Sequence, residues 1–353
     1  MTKQPRLLID ALRGIRTPRA PFWFMRQAGR YLPEYRAVRA TAPDFVRFCL
    51  NPVQAAEVTL QPIRRFGMDA AILFADILLI PHALGLEVAF KEGEGPVLAT
   101  VTNAAEISLL EAHLPAAAET LSPVYETVER VRSALPESCA LIGFAGSPWT
   151  VATYMVEGRG GHDFARVRRM ALGAPQDFSR LIEVLVDATV SYLDRQITAG
   201  ADAVQLFDTW AGVLPVSEFE RWCIAPTAAI VTRLRARHPN VPIIGFARGA
   251  GTNLTTYASR TGIDAIGLDA GVAPSWAARE VPAKLCLQGN LDPVLMAIGG
   301  SALEGAAQTI LDAWSPRSFV FNLGHGITPD VPVENVARLS RLLLDWRRAW
   351  STA

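Results

Sequence analysis

Two guanidinium groups, Arg26 and Arg30, flank a small-residue step, Ala28-Gly29, in the run Pro21-Phe-Trp-Phe-Met-Arg-Gln-Ala-Gly-Arg-Tyr-Leu-Pro-Glu34. A guanidinium presents a planar fork of donors that matches a carboxylate bidentately, and a glycine lets backbone N–H groups approach the same anion. The segment can therefore grip carboxylates. The bland alternative is a solvated arginine pair on a loop, which most isolated pairs are. Phe22, Trp23, Phe24 and Met25 weigh against it, because they anchor the loop in apolar surroundings where a charged fork needs a partner.

Three further residues have types that do chemistry. Asp76 ends the apolar run Ile72-Leu-Phe-Ala-Asp-Ile-Leu-Leu79, so its carboxylate has greasy neighbours and is costly unless a cation or donor arrives. It could equally cap the next helix or pair with a core arginine. His325, in Asn322-Leu-Gly-His-Gly326, sits in a glycine-flanked loop of the kind that also holds phosphate. Tyr154, in Pro148-Trp-Thr-Val-Ala-Thr-Tyr-Met155, is by type more often a packed tyrosine than a catalytic one. Several chemistries lack their residues. There is no His-Glu-x-x-His and no Gly-x-Ser-x-Gly, and Gly158-Arg-Gly-Gly-His162 lacks the Lys-Ser/Thr of a phosphate loop. The lysines are Lys3, Lys91 and Lys284, none placed for a Schiff base, and the scattered histidines and cysteines form no metal cluster. The residues point to a site without metal or cofactor.

Short apolar runs rich in β-formers must position these groups. They span 70–74, 140–144, 203–207, 243–248, 265–269, 285–289 and 319–325, each ending in a polar or glycine step. Between them lie helical stripes, among them Leu181, Leu185, Ala188 and Tyr192, and then Val336, Leu339, Leu343, Trp346 and Trp350. Continuous apolar strands alternating with helices mean a parallel sheet covered on both faces. With seven strands readable and an eighth expected between Asp76 and Ala140, the pattern predicts an α/β fold, a single-domain (β/α)8 TIM-type barrel over 1–353 with an N-terminal extension. A doubly wound open sheet is the alternative, weakened because no Gly-x-Gly-x-x-Gly follows the first strand. Residues 86–102, with Gly93 and Gly95, read as an inserted hairpin. In a barrel, Asp76, Ser147, Thr209, Arg248, Asp269, Gln288 and His325 would share one rim, the face where active sites sit.

The formal net charge is zero, yet the first 50 residues carry 10 Lys/Arg against 3 Asp/Glu, which makes the N-terminal segment a candidate for facing an anion. An excess confined to one region fits a small anion better than nucleic acid. The apolar stretch 70–86 is broken by Asp76, Pro81 and His82, which predicts no membrane span, and the first residues lack the apolar core of a secretory signal. Cys49, Cys139, Cys223 and Cys286, widely spaced, suit a reducing cytoplasm.

Taken end to end, the chain resembles the uroporphyrinogen decarboxylase family. The segments that carry the likeness are Met25-Arg-Gln-Ala-Gly-Arg-Tyr-Leu-Pro-Glu34, Thr59-Leu-Gln-Pro-Ile-Arg-Arg-Phe66, Ile72-Leu-Phe-Ala-Asp-Ile77, Pro148-Trp-Thr150 with Tyr154-Met-Val-Glu-Gly158, Phe207-Asp-Thr-Trp-Ala-Gly212, Gln288-Gly-Asn-Leu-Asp-Pro293 and Asn322-Leu-Gly-His-Gly326. The resemblance implies conversion of the four acetate arms of uroporphyrinogen III to methyls, giving coproporphyrinogen III, with no cofactor, by a cytoplasmic homodimer that engages neither nucleic acid nor membrane. It implies Asp76, Arg26, Tyr154 and His325 as the catalytic set. Gln27, Ala28, Gly29, Arg30, Phe74 and Thr209, the last a serine in many relatives, join them in binding substrate. Arg26, water and protonated Asp76 all stand open as the proton donor. Cobalamin-linked methyltransferases share this superfamily fold but carry zinc through a His-x-Cys step, where this chain has Phe246, Ala247 and Arg248.

Overall fold

The computed structural model describes residues 6–91, 93, 95–161 and 163–348; Lys3, His162 and Trp350 lie outside them. In chain order the described strands are β1 (Ala70–Ile72), β2 (Val88–Lys91), β3 (Gly95–Leu98), β4 (Ala140–Gly146), β5 (Ala203–Asp208), β6 (Ile243–Ala247), β7 (Ala265–Gly267), β8 (Cys286–Leu291) and β9 (Phe319–Leu323). Seven of them form one parallel sheet in the order β1-β4-β5-β6-β7-β8-β9, with register pairs such as Phe144 with Gln205 and Phe207 with Phe246. Every residue of β4, β5, β6, β8 and β9 is buried, as a sheet with helices on one side and a filled interior on the other requires. The antiparallel pair β2-β3 is the hairpin expected at 86–102.

The barrel closes at a place the sequence reading did not anticipate. Among the described residues no eighth strand of the barrel lies between Asp76 and Ala140, only the helices Leu79–Ala83, Ala104–Thr120 and Ser122–Ala134 around the hairpin. The gap between β9 and β1 is filled instead by the N-terminal segment 21–23. Phe321 N donates to Pro21 O (2.8 Å), Trp23 N to Phe321 O (3.4 Å) and Asp69 N to Phe22 O (3.0 Å). Phe22 and Phe321 form a parallel bridge. Asp69 ties this segment down: its carboxylate takes Arg19 bidentately at 2.6 and 2.7 Å and accepts Phe22 N at 3.0 Å. The aromatic run was thus legible as an anchor but not as a strand.

A polar line crosses the interior, and aromatics seal it. Trp23 Nε1 donates to Gln288 Oε1 and Gln288 Nε2 to Gln205 Oε1, both at 3.0 Å. Gln288 therefore lies inside the barrel rather than on the rim, because β8 runs three residues past it. Phe207 packs edge-on against Phe144 (5.6 Å) and Phe246 (6.0 Å), making an apolar floor. Outside, the 24-residue helix Pro175–Thr198 buries Leu181, Leu185, Ala188 and Tyr192, and Val333–Asp345 buries Val336, Leu339 and Leu343. Trp346 lies just past that helix, edge-on to Phe319 at 6.1 Å.

Candidate active site

Arg26 stands on a turn closed by Gln27 N donating to Phe24 O (2.9 Å), with φ +63 in the left-handed region. For an arginine that conformation costs on the order of 1–2 kcal/mol, so the surroundings must impose it. They do so through buried polar bonds. Gln27, fully buried, accepts Phe24 N (3.0 Å) on its side-chain oxygen and donates to Ala70 O (3.1 Å). Met25 N donates to Asn322 Oδ1 (3.0 Å), and Ile327 N to Met25 O (2.9 Å). The aromatic run before the turn is buried as expected, Phe22, Trp23 and Phe24 at 0% exposure.

Glycines let the turn close and the arginine cross the mouth. A Cβ on Gly29 would lie 2.9 Å from Arg26 O, and one on Gly326 would lie 2.3 Å from Arg26 Cδ. The Arg26 side chain thus runs over the backbone of the loop that follows β9. Ala28 packs against the core beside the turn, and Tyr31 donates its hydroxyl hydrogen to Gln27 O (2.8 Å). Arg26 and Arg30 are both exposed, and neither forms an ion pair with a carboxylate among the described residues.

Asp76 follows β1. Its Oδ1 accepts Leu78 N (2.8 Å) and its carbonyl accepts Leu79 N (3.3 Å), so it does start the turn into Leu79–Ala83. No arginine among the described residues forms an ion pair with it, yet it feels the charge of Arg26. Burial pushes its carboxyl up to about 6, opposed by the Leu78 hydrogen bond and by Arg26. The group is enclosed on most sides but keeps an open face.

Tyr154 comes from the helix Pro148–Glu157, half-buried, its ring 6.0 Å from that of Trp210. Burial, and then the Asp76 charge, raise its pKa, so it keeps its proton. His325 is pushed down to about 4 by burial, then by Arg26 and Arg248. Its Nδ1 accepts Gly326 N (2.7 Å), which assigns the ring proton to Nε2. It is a neutral N–H donor rather than an acid. Asp76, Tyr154, His325 and Arg26 are therefore electrostatic neighbours at the C-terminal end of the barrel.

The other expected residues divide. Thr209, just past β5, is half-buried. Phe74 packs its ring with Tyr35 (5.6 Å), Phe45 (6.0 Å) and Phe48 (4.9 Å), two residues before Asp76. Asp269 spends its carboxylate on Gly249 N (2.7 Å) and Gly271 N (2.8 Å), and Ser147 begins the helix Pro148–Glu157 with 1% exposure. Sequence reasoning missed Asp208. It is fully buried against the outer helices, its carboxyl pushed to about 6 by burial, and Thr150 donates to it while accepting Trp210 N at 3.0 Å. Trp149 Nε1 holds the other side of the same residue through Trp210 O (3.0 Å), and Phe164 stacks on the Trp210 ring at 4.7 Å. Alternation along β5 was the available signal, since Phe207 points inward and its neighbour must point out.

The profile of the family described as "Uroporphyrinogen decarboxylase (URO-D)" matches residues 3–345. The chain belongs to the uroporphyrinogen decarboxylase family. Among its relatives, the "Uroporphyrinogen decarboxylase" of Sphingopyxis alaskensis is 55% identical over 339 residues, 96% of this chain and 98% of that protein. That of Rhodospirillum rubrum is 51% identical over 342 residues, 97% and 98% of the two chains. A solved methyltransferase from Methanosarcina mazei superposes with a TM-score of 0.77 over 96% of this chain and 97% of its own; at 18% identity it speaks for the barrel alone. Among the described residues no three His, Cys, Asp or Glu side chains gather as a metal site, and no helix is long and apolar enough to cross a membrane.

Proposed function

We propose that this chain, read as one barrel domain, removes the carboxyl groups of the four acetate arms of uroporphyrinogen III to give coproporphyrinogen III, without a metal or an organic cofactor. The observation that carries the reading is Asp76: an enclosed carboxylate at a barrel mouth, with a carboxyl pKa of about 6, beside an arginine that forms no ion pair among the described residues. Losing carbon dioxide from an acetate arm leaves an electron pair on the adjacent carbon. A protonated pyrrole is the sink: a proton added to a ring carbon makes a cationic, iminium-like ring. The bond to the carboxylate breaks, its electrons enter the ring, and the exocyclic carbon takes a proton to become methyl as the ring proton leaves.

Ionised Asp76 opposes the cation as it develops and accepts hydrogen bonds from pyrrole N–H groups. At an effective dielectric of about 20, a unit charge about 4 Å away is worth about 4 kcal/mol, on the order of a thousandfold in rate. Arg26 and Arg30 hold arm carboxylates, with Gln27, Ala28 and Gly29 offering the turn backbone beside them. Tyr154 and the Nε2–H of His325 supply neutral donors on the other sides, and Thr209 a hydroxyl. Free, buried cysteines fit a cytoplasmic setting, and the family resemblance supports a homodimer. The test is anaerobic incubation of the dialysed protein with uroporphyrinogen III in chelator, with products resolved by carboxyl number. Stepwise loss from eight carboxyls to four supports the reading; tight binding without turnover, or activity that returns only with added zinc, overturns it.

A further inference from the structure

A second cationic pole faces Arg26 across the mouth. Counting round the closed ring, segment 21–23 is followed by β1, β4, β5 and β6 in one direction and by β9, β8, β7 and β6 in the other. The strand that Arg248 follows is thus four places from the Arg26 segment either way, diametrically opposite. Gly245 faces the outer helices, since a Cβ there would meet Tyr257 and Ile263, and Phe246 faces inward against Phe207. Arg248 is the first residue past that strand, at the C-terminal end of the barrel. Its backbone is held from three directions: Arg248 N donates to Asp208 O (3.0 Å), Gly212 N donates to Arg248 O (3.0 Å), and Gly249 N donates to Asp269 Oδ2 (2.7 Å). The side chain is exposed and forms no ion pair among the described residues, while the nearby Asp269 carboxylate is already engaged by backbone N–H groups. Arg26 and Arg248 both act on the His325 ring, so both charges reach the same opening.

We propose that Arg248 is a carboxylate anchor, gripping an arm of the substrate on the side of the mouth opposite Arg26. The inference rests on the reading of the site as a uroporphyrinogen decarboxylase. A tetrapyrrole carries carboxylate arms on all four sides, so arginines grouped on one side leave the far arms without a cation. A guanidinium held on a fixed strand end supplies one at little ordering cost. Because Arg248 binds a carboxylate that stays in place during the chemistry at another arm, its contribution is the same in ground and transition states, which shows in KM rather than kcat.

The experiment compares Arg248→Ala, Arg248→Gln and Arg248→Lys with the wild type for steady-state uroporphyrinogen turnover, thermal melting and salt dependence. Expected are a KM at least tenfold higher in the Ala and Gln variants, kcat within about threefold, unchanged melting, a shallower dependence of KM on salt, and recovery of most of the loss in the Lys variant. An unchanged KM in Arg248→Ala, a loss confined to kcat, a loss that follows a lowered melting temperature, or a Gln variant that behaves as wild type overturns the proposal. A wild-type protein that converts no porphyrinogen refutes the underlying reading instead, so the two failures are told apart.

Discussion

Asp76→Asn should make the protein more stable while removing its activity. The carboxyl moves from 3.8 to about 6 on folding, chiefly because burial disfavours its charge. At 1.36 kcal/mol per unit, ionising it costs the folded state about 3 kcal/mol, an upper value because the open face admits water. An acid whose pKa rises on folding stabilises the protein below its unfolded value, and that stability is lost as pH climbs through the folded one. Asparagine never ionises and its side-chain oxygen can still accept Leu78 N, so the variant avoids this loss. With an unfolding entropy near 2.1 cal/mol/K per residue over 353 residues, about 3 kcal/mol is about 4 °C in Tm. Melting curves of both proteins at pH 8 and pH 5 should show a gain of that order at pH 8 that shrinks by about half at pH 5. An Asn variant that melts lower than wild type at pH 8, or a gain independent of pH, would refute the assignment of a strained, ionised carboxylate.

Arg26→Ala and Arg30→Ala should each cost about 2–4 kcal/mol in kcat/KM by leaving a substrate carboxylate unpaired, with larger penalties for porphyrinogens bearing more carboxylates; a uniform loss that tracks a lowered Tm would mark a structural arginine. Gly326→Ala should displace the Arg26 side chain, since its Cβ would fall 2.3 Å from Cδ, lowering kcat/KM at least tenfold with less than about 1 kcal/mol lost in urea unfolding. Asp69→Ala removes the carboxylate that holds both Arg19 and Phe22 N, and should cost about 3–5 kcal/mol in urea unfolding because it leaves a largely buried Arg19 unpaired and loosens the segment that closes the barrel. A cost below about 1 kcal/mol would show that the closure does not depend on it.

The layered α/β architecture was legible because its strands are continuous apolar runs and its helices keep a clear stripe, as at Leu181 to Tyr192. The closing segment was not, because 21–23 is three residues long, begins with a proline and meets β9 and β1 only through tertiary hydrogen bonds. Rim membership was legible where an apolar run ends at a polar residue, as at Asp76 and Arg248. It failed at Gln288, where β8 continues through Asn290 and Leu291 with no composition change to mark its end. The charged residues of the site could be picked out by type and neighbourhood, whereas the supports, Gln27 beneath the Arg26 turn and Asp208 behind Trp210, depend on which way a side chain points. Phe74 shows the converse, a residue near the site in sequence whose ring belongs to the aromatic cluster behind it.

The most direct test of the account is kcat/KM for uroporphyrinogen between pH 5 and 8 in wild type, Asp76→Asn and Asp208→Asn. The last is included because both carboxyls are pushed to about 6. If ionised Asp76 carries the reaction, the wild-type profile falls on the acid side with a pKa near 6, Asp208→Asn keeps that limb, and Asp76→Asn loses it together with about two to three orders of magnitude in rate. An Asp76→Asn protein that is folded and within a few-fold of wild type, or a limb that vanishes only in Asp208→Asn, would contradict it.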